Sequence, residues 1–241
     1  MRTFTKYCEK DEATRVLVDE LATIKDDPQN YRLHMQAIGE KLGGSLLPSL
    51  RQISARTDIC VICTVEDADF LARGLIEKLE AAGFADRLHV VCMWNEKIRA
   101  EGVSLSPVTR EYKENFDSNN SVFVVIKSII SGACVVKTNL TRAISYANPA
   151  RIFVAAPVLL EGAEGRLSNE FPKHINQKFE FIHFATDTEK NGEDVIPGIG
   201  GSLYELLGLG NSLEKNKYVP ALVKERRKKF FGSPTPQPVM A

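Results

Sequence analysis

The sequence predicts an α/β fold, in which a parallel sheet is flanked by helices on both faces. From Asp58 onward, short apolar segments of strand length alternate with longer segments whose apolar residues recur at helical spacing. Strands that alternate with helices usually form a parallel sheet, because each crossover returns the chain to the same end of the sheet. The 241 residues, 44% of them hydrophobic, are enough for one sizeable core.

Before the alternating region, residues 11–50 carry two helical patterns that predict an N-terminal helical layer. The first pattern places on one helix face Val16, Leu17, Leu21 and Ile24. The second pattern, which follows the break at Asp27-Pro28, places on one face Leu33, Ala37, Ile38, Leu42 and Leu46. Because both sets follow the spacing of an amphipathic helix, we expect them to face the core.

The alternating region supplies the strands and the helices of the predicted sheet. Apolar runs predict strands at 58–63, 87–93, 121–126, 151–157 and 179–185. Amphipathic spacing predicts helices at 65–82, 132–147 and 161–170. The stretch from Lys97 to Asn120 is irregular and polar, and we expect a flap there. Ligands bind at the carboxyl edge of such sheets, so the turns after the strands are the first candidates for a site.

Composition limits the classes of function. The chain has 31 basic and 31 acidic residues, so no net charge attracts nucleic acid or an anionic membrane. The longest apolar run, Ile152 to Leu160, is too short to cross a membrane, and no basic-then-apolar leader is seen, so we expect a cytoplasmic protein. Cys60 and Cys63 lie three apart in one strand and face opposite sides, so we predict no metal site.

The stretch from Val122 to Cys134 carries the strongest functional signal. A buried strand runs into a turn of small residues that opens a helix. Backbone N–H groups at a helix N-terminus point outward, and the helix dipole favours an anion there. The sequence therefore predicts a phosphate site formed by Ser131, Gly132, Ala133 and Cys134.

This stretch resembles the 5-phosphoribosyl-1-pyrophosphate (PRPP) loop of type I phosphoribosyltransferases. Two later segments, Arg151–Pro172 and Phe181–Leu207, are similar to the uracil phosphoribosyltransferase branch of that family. The resemblance implies a C-terminal hood, in which the turn Val195–Gly201 reads the edge of a nucleobase through its main chain. The implied base-binding residues are Ile196, Gly198, Gly200 and Gly201. The family also implies a homodimer or larger protein assembly.

One globular domain with three parts follows from these assignments. Residues 1–55 are the N-terminal helical layer, residues 56–218 are the α/β core with its hood, and residues 219–241 are a basic helix end with a Pro-containing tail that we expect to be mobile.

The side chains at the PRPP loop differ from those of the family. Ile126 and Lys127 stand where the family has an acidic pair, or an acidic residue and a proline, for the ribose hydroxyls. Isoleucine offers no hydrogen bond to a sugar, and lysine has the opposite charge. For Lys127, a solvated or salt-bridged position and a contact with a ligand remain open alternatives.

The loop after the first strand also departs from the family, whose corresponding loop reads Leu-Arg-Ala-Gly. The residues at issue here are Thr64, Glu66, Asp67 and Asp69. Their carboxylates stand beside the expected position of pyrophosphate, and two like charges about 5 Å apart repel by about 3 kcal/mol at an effective dielectric constant near 20. The same residues fit a capping box at the start of a helix, in which case they are structural.

Two functions are consistent with this pattern. The first is a catalytically degenerate relative, a pseudoenzyme that binds a nucleobase, nucleotide or phosphate and acts as a regulatory or assembly subunit. The alternative is an active phosphoribosyltransferase of the pyrimidine salvage type with rearranged charges, which would use Mg²⁺. The sequence identifies no catalytic residue.

The basic end of the chain offers a further contact. Its cations are Lys224, Arg226, Arg227, Lys228 and Lys229. This run from Lys224 to Lys229 is either a contact for nucleic acid or an acidic protein, or a set of solvated cations near a helix C-terminus.

Overall fold

The computed structural model describes residues 1–96, 98–100, 103–192, 194–211 and 214–231. Its strands, numbered in chain order, are β1 (Arg2–Phe4), β2 (Asp58–Thr64), β3 (Leu88–Asn95), β4 (Ile98–Ala100), β5 (Val103–Leu105), β6 (Val108–Lys113), β7 (Ser121–Ile126), β8 (Ile129–Ile130), β9 (Ile152–Leu160), β10 (Phe179–Asp187), β11 (Glu189–Asn191) and β12 (Asp194–Ile196). The expected tail mobility concerns residues 232–241, which lie outside the described residues.

The helices surround these strands in the predicted alternation. They are α1 (Glu12–Leu21), α2 (Pro28–Leu50), α3 (Val65–Asp67), α4 (Arg73–Leu79), α5 (Cys134–Ile144), α6 (Ala163–Asn169), α7 (Lys173–Asn176), α8 (Leu203–Leu206) and α9 (Ala221–Phe231). Two π-helical turns, Ala68–Ala72 and Glu80–Phe84, connect and extend α3 and α4, so the predicted helix at 65–82 is one nearly continuous helical segment.

The main sheet confirms the predicted fold class. Its strand order is β1-β10-β9-β7-β2-β3-β6, and β8 pairs with β9. The five central strands run parallel, whereas β1 and β6 are antiparallel edge strands. Because β2 lies between β7 and β3, the turns that follow these three strands meet at one carboxyl edge.

Helices cover both faces of the sheet and divide the core in two. One face packs against α1, α2, the α3–α4 segment and α9, and the other packs against α5 and α6. Cys63 belongs to the first cluster and Cys60 to the second, which confirms that they face opposite sides. Cys60, Cys63 and Cys92 are buried free thiols.

The prediction of an irregular flap between Lys97 and Asn120 was wrong in part. Strands β4 and β5 form a small antiparallel hairpin, and β6 extends the main sheet beside β3. The alternation in β6 is hard to recognise from sequence because an edge strand is exposed and tolerates polar residues. Strand β1 was also missed, since three residues carry no periodicity.

The predicted core faces of the two N-terminal helices were also wrong at one residue each. Val16 is 46% exposed and Leu33 is 60% exposed. In α1, Thr14, Val18 and Leu21 are buried instead, and Thr14 is buried because its hydroxyl and its N–H both bond to the cap residue Asp11. A polar residue in the first turn of a helix can therefore be buried when the cap residue satisfies its hydrogen bonds.

The contact between α2 and the α3–α4 segment depends on two glycines. A Cβ added at Gly39 would lie 2.1 Å from the carbonyl oxygen of Leu71, and one at Gly74 would lie 2.0 Å from that of Gln36. The two backbones therefore approach more closely than any side chain allows. At Gly44, on the same helix, the nearest atom would be 3.9 Å away.

We expect Gly39→Ala and Gly74→Ala each to lower the free energy of unfolding by about 1–3 kcal/mol or more, because the methyl group forces the helices apart. Gly44→Ala is the matched control and should be stabilising by about 0.5–1 kcal/mol, since alanine is the better helix former. Urea unfolding measures both. Equal effects at Gly39 and Gly44 would contradict the close crossing.

Candidate functional site

The loop after β2 is held by its own hydrogen bonds. Thr64 ends β2, and its hydroxyl donates to Asp67 Oδ2 at 2.6 Å. No capping hydrogen bond joins the Thr64 side chain to a backbone N–H, so the predicted capping box is replaced by a contact between the two side chains. Asp67 is fully buried, and its Oδ1 accepts the N–H of Ser128 at 3.1 Å. The carboxylate thus joins the ends of β2 and β7.

Lys127 supplies the charge that this buried carboxylate needs. Its Nζ lies 2.8 Å from Asp67 Oδ2 and 3.5 Å from Glu66 Oε1, and its side chain is 12% exposed. Of the two alternatives left open by the sequence, the structure shows the salt-bridged one. The lysine after β7 and the carboxylates after β2 are therefore ion-pair partners.

A second lysine completes the cluster from the C-terminal part of the chain. Lys215 Nζ lies 3.3 Å from Glu66 Oε2, and both side chains are 8% exposed. Two cations and two carboxylates therefore share one buried site. The like-charge repulsion expected from the sequence is largely cancelled, because each carboxylate has a cation beside it. Nothing in the sequence pattern of Lys215 indicated this role.

These charges set the protonation of the cluster. Burial by itself would raise the pKa of Glu66, but the positive charges of Lys127 and Lys215 outweigh burial and lower this pKa to about 2. Burial would lower the pKa of Lys127, but Asp67 and Glu66 raise it overall. Both groups are therefore charged at neutral pH, and Glu66 is not available as a general acid there.

Asp69 points away from this cluster, unlike its neighbours in the sequence. It accepts the N–H groups of Ala221 at 2.8 Å and Leu222 at 2.7 Å, and it accepts the hydroxyl of Tyr218. Asp69 therefore caps the N-terminus of α9, a position that the helix dipole favours for a carboxylate. Its role in the described residues is structural.

The C-terminal segment covers the carboxyl edge at β2 and β3. Trp94, at the end of β3, is 1% exposed and donates its indole N–H to the carbonyl of Tyr218 at 2.9 Å. The tryptophan therefore packs under a covering segment. Tyr218, which provides this contact, lies just before α9.

The predicted basic surface at Lys224–Lys229 is only partly a surface. Arg226 is 6% exposed and makes two hydrogen bonds of 2.8 Å to the buried Glu114, and a third interaction, of 3.0 Å, joins it to Glu80. Lys224, Arg227, Lys228 and Lys229 are exposed. Arg226 was wrongly grouped with them, because a charge run does not show which of its members turns inward.

The predicted phosphate cradle keeps an open backbone. Helix α5 begins at Cys134, and its N-cap, Ala133, has no side chain that could cap the helix. A Cβ added at Gly132 would meet nothing within 4 Å. In the described part of the chain, no acceptor takes the N–H groups of Gly132 and Ala133. Ser131 contributes a carbonyl that accepts from Arg166 at 3.3 Å, and Ile126 is buried in the core.

The hood turn contacts the segment that leads to the cradle. A Cβ at Gly198 would come within 3.2 Å of Ile129, a residue of β8 in the loop that leads to the cradle. The segment between β7 and the cradle therefore contacts the loop after β2, through Lys127 and Ser128, and the hood turn, through Ile129.

The hood backbone is bonded to the N-terminal part of the chain. The Arg2 guanidinium donates to both oxygens of the Asp187 carboxylate, at 2.9 and 2.8 Å, and to the Gly198 carbonyl at 2.6 Å. The N–H of Gly198 donates to the same carboxylate at 2.8 Å. Tyr31 donates to the Ile199 carbonyl at 2.9 Å, and Lys25 to the Gly200 carbonyl at 2.5 Å. Arg2 and Lys25 were not anticipated from the sequence.

The glycines of this turn are required by close contacts within the chain. Gly198 has a φ of +57°, and a Cβ there would lie 2.2 Å from the Val195 carbonyl oxygen. Gly200 has a φ of +92°, and a Cβ there would lie 3.0 Å from the Ala22 carbonyl oxygen. Ile196, by contrast, is 42% exposed, and the peptide bond that follows it is cis. Close contacts within the turn at Gly198, and with the N-terminal layer at Gly200, explain these glycines as well as a close approach to a base does.

Comparisons with known proteins identify structures of similar fold but no matching family. No protein-family model matches the chain, and none of the curated proteins does. Among solved structures, AQ2163 protein from Aquifex aeolicus superposes with a TM-score of 0.62 at 14% identity, over 82% of this chain and 95% of that chain. At such an identity the likeness shows the fold alone.

Phosphoribosyltransferases are also among the structural neighbours, at lower similarity. A hypoxanthine phosphoribosyltransferase from Staphylococcus aureus has a TM-score of 0.41 and 14% identity, over 62% of this chain and 73% of that chain. An adenine phosphoribosyltransferase from Thermoanaerobacter pseudethanolicus has a TM-score of 0.36 and 10% identity, over 62% and 83%. These two superpositions are too loose to support an argument about the site. No helix of the described residues is long and apolar enough to cross a membrane.

We expect Lys127→Met to lower the free energy of unfolding by about 3–5 kcal/mol, because it leaves the buried Asp67 carboxylate without its cation. The matched control is Lys137→Met, which removes an exposed lysine paired with Glu170. That change should cost less than about 1 kcal/mol. Chemical denaturation measures both, and similar small losses would show that the Lys127 pair is not buried in solution.

The stability should also respond to acid through Glu66. Its pKa is about 2 when folded against an ordinary value of 4.5, so its contribution is present above pH 4.5 and is lost as the pH falls toward 2. We expect the stability difference between wild type and Glu66→Gln to shrink by about 1 kcal/mol between pH 6 and pH 3.5. A difference that stays constant or grows on acidification would contradict the depressed pKa.

Proposed function

We propose that this chain is a phosphoribosyltransferase-like protein that binds a nucleotide or another phosphate-bearing small molecule without transferring a phosphoribosyl group. In this role it serves as a regulatory or assembly subunit, as a homodimer or in a larger complex. The uracil branch is the favoured relative, because the hood turn resembles that branch.

The observation that carries this proposal is the buried pairing of Lys127 with Asp67 and Glu66. A transferase of the resembled family needs an acidic group free to hold the ribose and a loop free to hold pyrophosphate. Here Lys127, at the position that would hold the ribose, pairs with Asp67 and Glu66, at the position that would hold pyrophosphate. Asp67 is also fully buried. A ligand with several negative charges would have to separate these ion pairs, at a cost of several kcal/mol.

The cradle supports binding of a single phosphate. The N–H groups of Gly132 and Ala133 are unused among the described residues, and the helix that follows has no side-chain cap. Backbone donors at a helix N-terminus bind one phosphate without a charged side chain. Residues Ser131 to Cys134 are therefore proposed to hold the phosphate, while the hood turn, Ile196 to Gly201, is proposed to contact the base.

The alternative function, an active transferase, requires a different state of the same cluster. In that state Lys127 leaves Asp67, and the freed carboxylates bind Mg²⁺ or act on the substrate. Asp69 is a poor candidate for such a role, because it is used to cap α9.

Calorimetry with UMP, uracil, and PRPP with Mg²⁺ tests the proposal on the full chain. We expect UMP to bind and PRPP to show no turnover. Gly132→Asp should weaken UMP binding by about tenfold or more, because it places a negative charge in the cradle. The matched control is Gly44→Asp on α2, which also adds an aspartate at an uncrowded glycine and should leave UMP binding unchanged.

Two outcomes would overturn the proposal. Release of pyrophosphate from PRPP in the presence of uracil would establish the active transferase instead. Failure of UMP to bind, or equal weakening by Gly132→Asp and Gly44→Asp, would remove the cradle as a phosphate site.

A further inference from the structure

A cavity is lined by residues of α2, by Asp69 and Phe70 in the segment that follows β2, and by residues that lie before or at the start of α9. Its volume is about 590 Å³, which is within the range of small-molecule sites. It opens between the first turns of α2 and the π-helical turn Ala68–Ala72. Its lining residues are Gln29, Arg32, Leu33, Gln36, Asp69, Phe70, Arg73, Leu209, Tyr218 and Ala221.

One wall of the cavity is an incompletely covered face of α2. Gln29, Arg32, Leu33 and Gln36 follow helical spacing and therefore share this face. Leu33 is 60% exposed, among the largest exposures of any apolar side chain of the described residues. The sequence predicted that Leu33 would be buried, and the structure leaves it at an open groove. Phe70, Leu209 and Tyr218 add apolar surface opposite it.

The cavity also contains a cation without an acidic partner. Arg32 donates through Nε and Nη2 to the carbonyl of Leu207, at 2.9 and 2.6 Å, and its guanidinium lies 5.4 Å from the centre of the Phe70 ring. No carboxylate of the described residues lies within ion-pair distance of it. Arg73, across the cavity, is paired with Asp69 at 3.5 Å and with Glu225 at 3.0 Å.

The contrast between the two arginines indicates what the cavity accepts. The charge of Arg73 is balanced by Asp69 and Glu225. The charge of Arg32 is balanced by no carboxylate of the described residues, and its guanidinium is fixed in place by two hydrogen bonds and an aromatic ring. A fixed guanidinium beside apolar surface favours a ligand that has one anionic group and an apolar body.

We propose that this cavity binds a small amphipathic organic anion, such as an aromatic or aliphatic carboxylate or sulfonate. The anionic group accepts from Arg32, and the apolar body covers Leu33, Phe70 and Leu209. This site is separate from the phosphate cradle, since none of the cradle or hood residues lines it. The inference therefore stands whether or not the proposed nucleotide binding is correct.

Calorimetry on the full chain tests the site with naphthalene-1-sulfonate and with naphthalene-1-sulfonamide, a neutral molecule of nearly the same shape. We expect saturable binding of the sulfonate, and binding of the sulfonamide that is weaker by about tenfold or more, because it lacks the charge that Arg32 recognises. Arg32→Gln should remove this preference for the sulfonate.

Leu33→Asp provides a second variant that does not disturb the fold, because the side chain is largely exposed. It should weaken sulfonate binding by about tenfold or more through charge repulsion and loss of apolar contact. Val16→Asp is its matched control, since Val16 is an exposed apolar residue on α1 outside the cavity. It should leave sulfonate binding unchanged.

Several results would overturn the proposal: no saturable sulfonate binding, equal affinity for the sulfonamide, or equal weakening by Leu33→Asp and Val16→Asp. Sedimentation of the same proteins tests whether this face is a protein–protein interface instead of a small-molecule site. If wild type self-associates, Leu33→Asp abolishes the association and no sulfonate binds, this face is an interface between copies of the chain.

Discussion

The ion pair between Lys127 and Asp67 is the interaction on which the carboxyl edge of the sheet depends. Asp67 is fully buried, and an ionised carboxylate is tolerated there only with a cation and further hydrogen bonds. Lys127 provides the charge, while Thr64 and the N–H of Ser128 provide the bonds. These contacts join the ends of two adjacent strands, β2 and β7. The arrangement of these two strand ends therefore depends on the neutrality of this pair.

The same need for paired charges makes the C-terminal part of the chain integral to the fold. Glu66 forms one ion pair with Lys127 and another with Lys215, which comes from the C-terminal part of the chain. Asp69 caps α9, and Arg226 in that helix neutralises the buried Glu114 beside β3. A segment that resembles an appendage in the sequence thus covers part of the carboxyl edge, at β2 and β3. Its removal would take one cation from Glu66 and the only arginine paired with Glu114 among the described residues.

The positions of the charged residues at the carboxyl edge were predictable from the sequence, whereas their mutual pairing was not. Glu66, Asp67 and Lys127 were each correctly placed at the carboxyl edge, since the strand and turn pattern determines which residues follow each strand. Their mutual contact was not predictable, because Lys127 lies 60 residues after Asp67 and its side chain had two plausible environments. Charges that looked repulsive when considered singly form a balanced cluster. Leu33 shows the reverse error, because helical spacing alone does not reveal that its part of the face opens onto a cavity.

By itself, the sequence determined the α/β class, the parallel direction of the central strands, the helices at 11–50 and the turn of small residues from Ser131 to Cys134. These features depend on local periodicity and on small residues at a turn, both of which are properties of neighbouring positions in the chain. Only the tertiary structure decided that Lys127 is paired, that Asp69 caps α9, and that Arg2, Tyr31 and Lys25 hold the hood. Each of these is a contact between a buried charged or polar group and a partner that is distant in the sequence. Local sequence patterns do not show which distant residue becomes that partner.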